Sequence, residues 1–117
     1  MTQEEYIEHL RTMGGANVDQ QFDEDFDTFI GRHTDSRKWF AAVLNIHGRF
    51  GVNLKCDPME ADLLRNIYEG VTAGYHMNKT HWNTVYFDSD VPDEELIRMT
   101  ENSFALTGKK PARKGRN

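Results

Sequence analysis

Cysteine is nearly absent from this chain of 117 residues: Cys56 stands alone. A lone thiol forms no internal disulfide and supplies no paired-thiolate metal motif, so a disulfide scaffold and a cysteine-built zinc site are both excluded. Long apolar runs are missing too. No stretch approaches the roughly 18 residues that span a bilayer, and the first residues, Met1-Thr2-Gln3-Glu4-Glu5, are acidic and polar where a secretory leader is basic and then apolar. The expected location is the cytoplasm, with no membrane contact. Proline is confined to Pro58, Pro92 and Pro111, and no internal repeat is evident.

Positive charge is scarce in the body of the chain. Residues 1–30 carry a net −7, residues 31–60 a net +2 and residues 61–108 a net −5, whereas residues 109–117 carry +5 with no acid. The body is therefore near −10, a poor match to a phosphate backbone unless its bases gather on one face. What the chain does have is 38% hydrophobic residues and thirteen aromatics, enough for one compact core. A single domain over residues 1–108 and a disordered basic tail over 109–117 are expected.

Local signals order the elements. Thr2 and Glu5 have capping-box spacing, and Tyr6, Ile7, Leu10 and Met13 recur at helical intervals before Gly14-Gly15. The polar, acidic run Ala16 to Asp27 reads as a loop leading into a strand from Phe26 to Ile30. Lys38 to Ile46 is almost continuously apolar, and His47-Gly48 separates it from an alternating stretch with Phe50, Val52 and Leu54 on one side and Arg49, Gly51, Asn53 and Lys55 on the other. This pair predicts an antiparallel hairpin with one half-exposed face. Asp57-Pro58 opens a second helix that would bury Ala61, Leu64, Ile67 and Tyr68. Val71 to Asn78 and Trp82 to Asp88 read as strands, and a third helix from Pro92 to about Leu106 would bury Leu96, Ile97 and Phe104. The expected architecture is α+β and two-layered: a five-stranded antiparallel sheet with helices on one face, in the order α-β-β-β-α-β-β-α.

Lys38-Trp39-Phe40-Ala41, Val52-Asn53-Leu54-Lys55-Cys56-Asp57-Pro58, the block from Gly74 to Val85 (GYHMNKTHWNTV) and Pro92-Asp93-Glu94-Glu95-Leu96 together resemble the MmcQ/YjbR family over roughly Phe26 to Leu106. That resemblance implies a two-layer fold similar to the bacterial frataxin (CyaY-like) and secretion-chaperone folds. Members are often described as DNA-binding, from a proposed pair of β wings, and the family brings no catalytic set. Helix one, the acidic loop and the basic tail fall outside the matching blocks.

Four groups of residues are candidates for chemistry. Tyr75, His76, Asn78, Lys79, His81 and Trp82 surround a turn and, with Arg49 and Lys55, suit stacking on bases and contact with phosphates. Alternatively they pack beside the core and hold the turn by hydrogen bonds. The tail cations Lys109, Lys110, Arg113, Lys114 and Arg116 can contact nucleic acid without a fold, or lie back on the acidic N-terminal region. Cys56 with His76 and His81 suggests a nucleophile or a metal, but spacing identifies no orienting acid or oxyanion arrangement, and adjacent Asp57 opposes a thiolate. Glu4, Glu5 and Glu8, with Asp19, Asp23, Glu24, Asp25 and Asp27, are acids of the kind that hard cations favour, yet they lack the spacing of a calcium loop and read as a solvated face. The expectation is a non-enzymatic protein without cofactor or metal, a monomer or weak dimer, binding DNA weakly and in a salt-sensitive way. The alternative is a protein-interaction or chaperone-like module.

Overall fold

The computed structural model of the chain describes residues 1–22 and 25–108, with side chains left aside for residues 21–26. The tail 109–117, its five candidate cations included, lies outside the described residues. The elements are α1 (Gln3–Thr12), β1 (Ala16–Phe22), β2 (Asp25–His33), β3 (Trp39–Ile46), β4 (Arg49–Lys55), α2 (Pro58–Ile67), β5 (Val71–Ala73), β6 (Trp82–Tyr86) and α3 (Asp93–Thr107). One antiparallel sheet runs β1-β2-β3-β4-β6-β5, with the helices against one face.

The two-layer α+β expectation holds, but the sheet has six strands, not five. Ala16 to Asp27 is not a loop: β1 forms there and pairs with β2 from Ala16↔His33 to Phe22↔Asp25. Its Asn, Asp and Gln residues carry weak strand preference, and among its described side chains Ala16 and Val18 pack toward the core. Pairing with β2 and contact with α1 supply the order that local sequence does not. The strand expected over Val71 to Asn78 is cut to Val71–Ala73, and residues 74–81 form a loop.

Local chemistry accounts for the element starts. Thr2 and Glu5 complete the capping box of α1, while Asp57 accepts the Met59 amide at 3.1 Å with Pro58 in the first turn of α2. His47 (φ 53°) and Gly48 (φ 87°) both take left-handed conformations, as the two-residue turn between β3 and β4 demands.

Register separates the two faces of the sheet. The row Phe29↔Val43↔Val52↔Val85↔Val71 lies in the core beneath the helices, with Tyr6, Leu10, Phe40, Leu54 and Leu96. The adjacent row Ile30↔Ala42↔Asn53↔Thr84↔Thr72 points to the opposite face. On α3 the buried positions include Thr100, Ser103 and Thr107 beside Leu96 and Met99, whereas Ile97 and Phe104 are only half-buried. Ile67 of α2, expected in the core, is exposed.

The buried hydroxyls of α3 are all engaged. Ser103 Oγ donates to the Phe40 carbonyl at 2.6 Å and accepts the Lys55 amide at 2.9 Å. Phe40 is the extra residue of a bulge, since Gly31 pairs with Ala41 and Arg32 with Trp39. One serine thus docks α3 onto backbone groups of β3 and β4. The Tyr6 hydroxyl lies 2.7 Å from Thr100 Oγ1, which itself donates to the Leu96 carbonyl, so α1 is tied to α3 through the core. Removing the serine oxygen leaves two buried backbone groups without their partner. Ser103→Ala is expected to lower the unfolding free energy by about 1–3 kcal/mol, read as a lower urea midpoint with unchanged slope.

Candidate nucleotide-binding face

β3 is apolar on both faces, and its outward residues are not left bare. The loop 74–81 folds over the centre of the outer face, so Asn53, expected on a half-exposed surface, is only 2% exposed, and Gly51 is buried as well. Three hydrogen bonds seat the loop. The Thr84 hydroxyl donates to Asn53 Oδ1, the Asn53 amide donates to the Tyr75 carbonyl at 2.9 Å, and the Tyr75 amide donates to Thr84 Oγ1 at 2.9 Å. Each donor meets an acceptor, the condition under which a buried polar cluster is tolerated.

The rest of the turn is held from within. Asn78 Oδ1 accepts the amides of Thr80 and His81 at 2.9 and 3.1 Å, and the Lys79 ammonium donates to the carbonyls of Gly74 and Met77. Gly74 donates to the Trp82 carbonyl at 2.9 Å, and a Cβ at position 74 would stand 2.8 Å from that of Trp82, so the close approach requires glycine. Asn78 and Lys79 therefore bind the turn itself, while Tyr75, His76 and Met77 face outward over the sheet.

Between the loop and the outer face of β2 and β3 lies a groove of about 440 Å³, floored by Ile30, Ala42 and Leu44 and walled by Trp39, Tyr75, His76 and Met77. His76 holds a left-handed conformation (φ 61°), a costly one for a residue with a Cβ. Its ring lies 4.1 Å from that of Tyr75, and His47 meets Tyr75 edge-on at 5.9 Å. Arg32 sits over the Trp39 ring at 5.5 Å and Arg49 over the Tyr86 ring at 4.1 Å. Arg49 also meets Asp88 at 2.8 Å. That hydrogen bond pushes Arg49 above its ordinary range and holds Asp88 below the usual carboxylate range.

The sequence candidates are thus divided. Tyr75 and His76 line the groove. Arg49 and Lys55 occupy opposite ends of β4, about 20 Å apart at strand spacing, with Lys55 opposite Trp82. His81 is exposed, and its carbonyl accepts the Cys56 amide at 2.8 Å. Sequence reasoning missed Trp39, Met77, Ile30 and Leu44 as groove residues. The available signal was the almost unbroken apolar run of β3, since a strand apolar on both faces needs cover on both.

Cys56 is 6% exposed and follows β4, with Sγ 3.8 Å from Glu60 Oε1. Burial, then the Glu60 carboxylate, pushes the thiol up to about 11. The described residues include no group of three or more His, Cys, Asp or Glu placed to hold a metal; of the acidic set, Asp23, Glu24 and the side chain of Asp25 lie outside them.

Two measurements test this geometry. Asn53→Ala is expected to cost about 1–3 kcal/mol by orphaning the Thr84 hydroxyl and the Tyr75 carbonyl. Amide exchange at Tyr75 should accelerate well beyond that of Val52 or Val85; a uniform change across the sheet would contradict the network. At pH 8 the folded Cys56 thiol should resist alkylation while urea-unfolded chain reacts readily, because burial suppresses the thiolate.

Comparison with known proteins extends the picture beyond this chain. The YjbR family model matches residues 11–106. The match begins at Arg11, so β1 and the acidic β1–β2 segment belong to the shared domain and are not additions to it. The uncharacterised protein YyaQ of Bacillus subtilis is 32% identical over 117 residues, covering 92% of this chain and 98% of that protein. YjbR of Escherichia coli K12 is 38% identical over 65 residues, 56% of this chain and 55% of that protein. Among solved structures, a Pseudomonas syringae protein superposes with a TM-score of 0.83 at 28% identity, covering 92% of this chain and all of that one. DR2400 of Deinococcus radiodurans gives 0.79 at 27% identity over 93% and 80% of the two chains. With the six strands, the loop 74–81 and all but the last residue of α3 inside the aligned span, the chain belongs to the MmcQ/YjbR family.

Proposed function

We propose that this protein is a non-enzymatic binding protein that takes unpaired nucleotides on the outer face of its sheet, between β3 and the loop 74–81. The observation that carries this reading is the groove itself: an apolar floor between two aromatic walls, Trp39 and Tyr75, with cations at its margins. Flat bases stack on aromatic side chains without sequence preference, and an open sheet face accepts them without a duplex groove to fill.

The distribution of charge disfavours the helical layer for the same ligand. The three helices carry nine acids against three bases, and residues 16–30 carry five acids and no base. The other residues up to Gly108 hold six bases and five acids, among them Arg32, Arg49, Lys55 and Lys79. The helical layer thus repels phosphate, while on the sheet Arg32 lies 3.9 Å from Asp19 and Arg49 2.8 Å from Asp88, which favours weak, orientation-selective binding over generic adhesion. A catalytic role has little support: the Cys56 thiol is buried and held protonated, and the neighbouring Glu60 carboxylate raises it further by its charge.

Labelled protein titrated at low ionic strength with a short mixed-sequence single strand should show shifts at Trp39, Leu44 and residues 75–77. A chain ending at Gly108 should retain them. Affinity is expected in the range of about 10⁻⁴–10⁻⁶ M, falling as salt rises, and Tyr75→Ala should weaken it by about 1–3 kcal/mol. A duplex of the same sequence should bind no better. Shifts that vanish with the tail, or silence in both chains, would remove this reading.

A further inference from the structure

α2 presents two apolar faces, and among the described residues only one of them is covered. Ala61 and Leu64 are buried against the sheet, where α2 meets β5 and β6. Met59, Leu63 and Ile67 are 84%, 56% and 56% exposed. Their spacing of four stacks them into one stripe along the helix. Single exposed apolar residues are ordinary, but these three and Leu106 are the exposed large hydrophobic residues of the described chain, so apolar exposure is concentrated here.

A shallow depression of about 580 Å³ takes in Met59 and Leu63, the first two residues of the stripe, bordered by Asp57, Glu60, Asp62 and Asn66. Its lining holds no cation. Arg65, on the same helix, donates to the Ala61 carbonyl at 3.2 Å and the Lys79 carbonyl at 3.0 Å. Arg98 pairs with Glu60 at 3.0 Å, while Asp57 and Asp62 have no ion pair among the described residues. The rim is acidic and the floor apolar.

We propose that the α2 stripe docks an amphipathic helix of a partner protein, with apolar residues every three or four positions and Lys or Arg along their flanks. A helix laid in an apolar groove is read through such anchors, and the acidic rim selects the charge beside them. A second copy is the poorer occupant: each chain carries a net −5, and two-fold pairing through α2 brings like rims together. The chain's own tail has the right charge but only Pro111 and Ala112 to offer the floor. The stripe lies in the helical layer, away from the outer sheet face, so this site is independent of the nucleotide-binding reading.

The test uses two synthetic helices of about four turns with identical leucine spacing, one flanked by Lys and the other by Glu, titrated into labelled full-length protein. The Leu/Lys helix is expected to shift the amides of residues 57–67. Leu63→Lys should weaken it by about tenfold or more, as should Ile67→Lys, a second variant should the first fold poorly, while Tyr75→Ala leaves it unchanged. Equal binding of the Leu/Glu helix would overturn the proposal. So would shifts spread over Glu4–Glu8 and Asp93–Glu95 that ignore Leu63→Lys, or sedimentation as a dimer that Leu63→Lys dissociates.

Discussion

A closed set of hydrogen bonds among Asn53, Thr84 and the backbone of Tyr75 holds the outer face of the sheet in its present form. Both side chains are essentially shut from water, at 2% and 0% exposure. Their satisfaction depends on the register Asn53↔Thr84 between β4 and β6. A slip of β6 by one residue would turn Thr84 into the valine row of the core and leave Asn53 without its partner. The same contacts that seat the loop therefore specify the pairing of two strands separated in sequence by a helix and a short edge strand.

The loop in turn makes the groove. Without it, Ile30, Ala42 and Leu44 would form a flat apolar surface beside Trp39; with it, they become the floor of a walled cleft. The opposite layer shows a different economy. α3 docks through hydroxyls on backbone groups at the Phe40 bulge, and α1 reaches α3 through Tyr6 and Thr100. Buried hydroxyls give directional contacts that fix where α3 sits, while apolar burial supplies most of the driving force. The two layers consequently present chemically different surfaces: acidic helices with one apolar stripe, and a sheet face with an aromatic cleft.

Much of the fold was legible because its signals are local. The capping box at Thr2, the Asp57-Pro58 start and the His47-Gly48 turn each act within a few residues, and the family blocks carried the two-layer arrangement. β1 was not legible, since Asn17, Asp19 and Gln20 resemble loop chemistry and become a strand only against β2. Ile67 misled for the converse reason: helical periodicity marks an apolar residue without saying which side of the helix meets the core. The candidate site was half legible. Tyr75 and His76 stood out in a concentrated polar and aromatic block, whereas Trp39, Met77 and the floor of the cleft looked like ordinary core.

What the sequence determined by itself was the set of helix starts, the β3–β4 hairpin, the sign and distribution of charge, and the family, all consequences of short-range pattern and composition. Tertiary structure alone decided the sixth strand, the loop seated over Asn53, the cleft behind Tyr75 and the exposure of Met59, Leu63 and Ile67. These depend on which residues from distant parts of the chain are brought face to face: Asn53 and Thr84 are 31 positions apart, and Lys55 and Ser103 are 48. Periodicity reports that a side chain has a face, but only the pairing of strands and the docking of helices settles what that face meets.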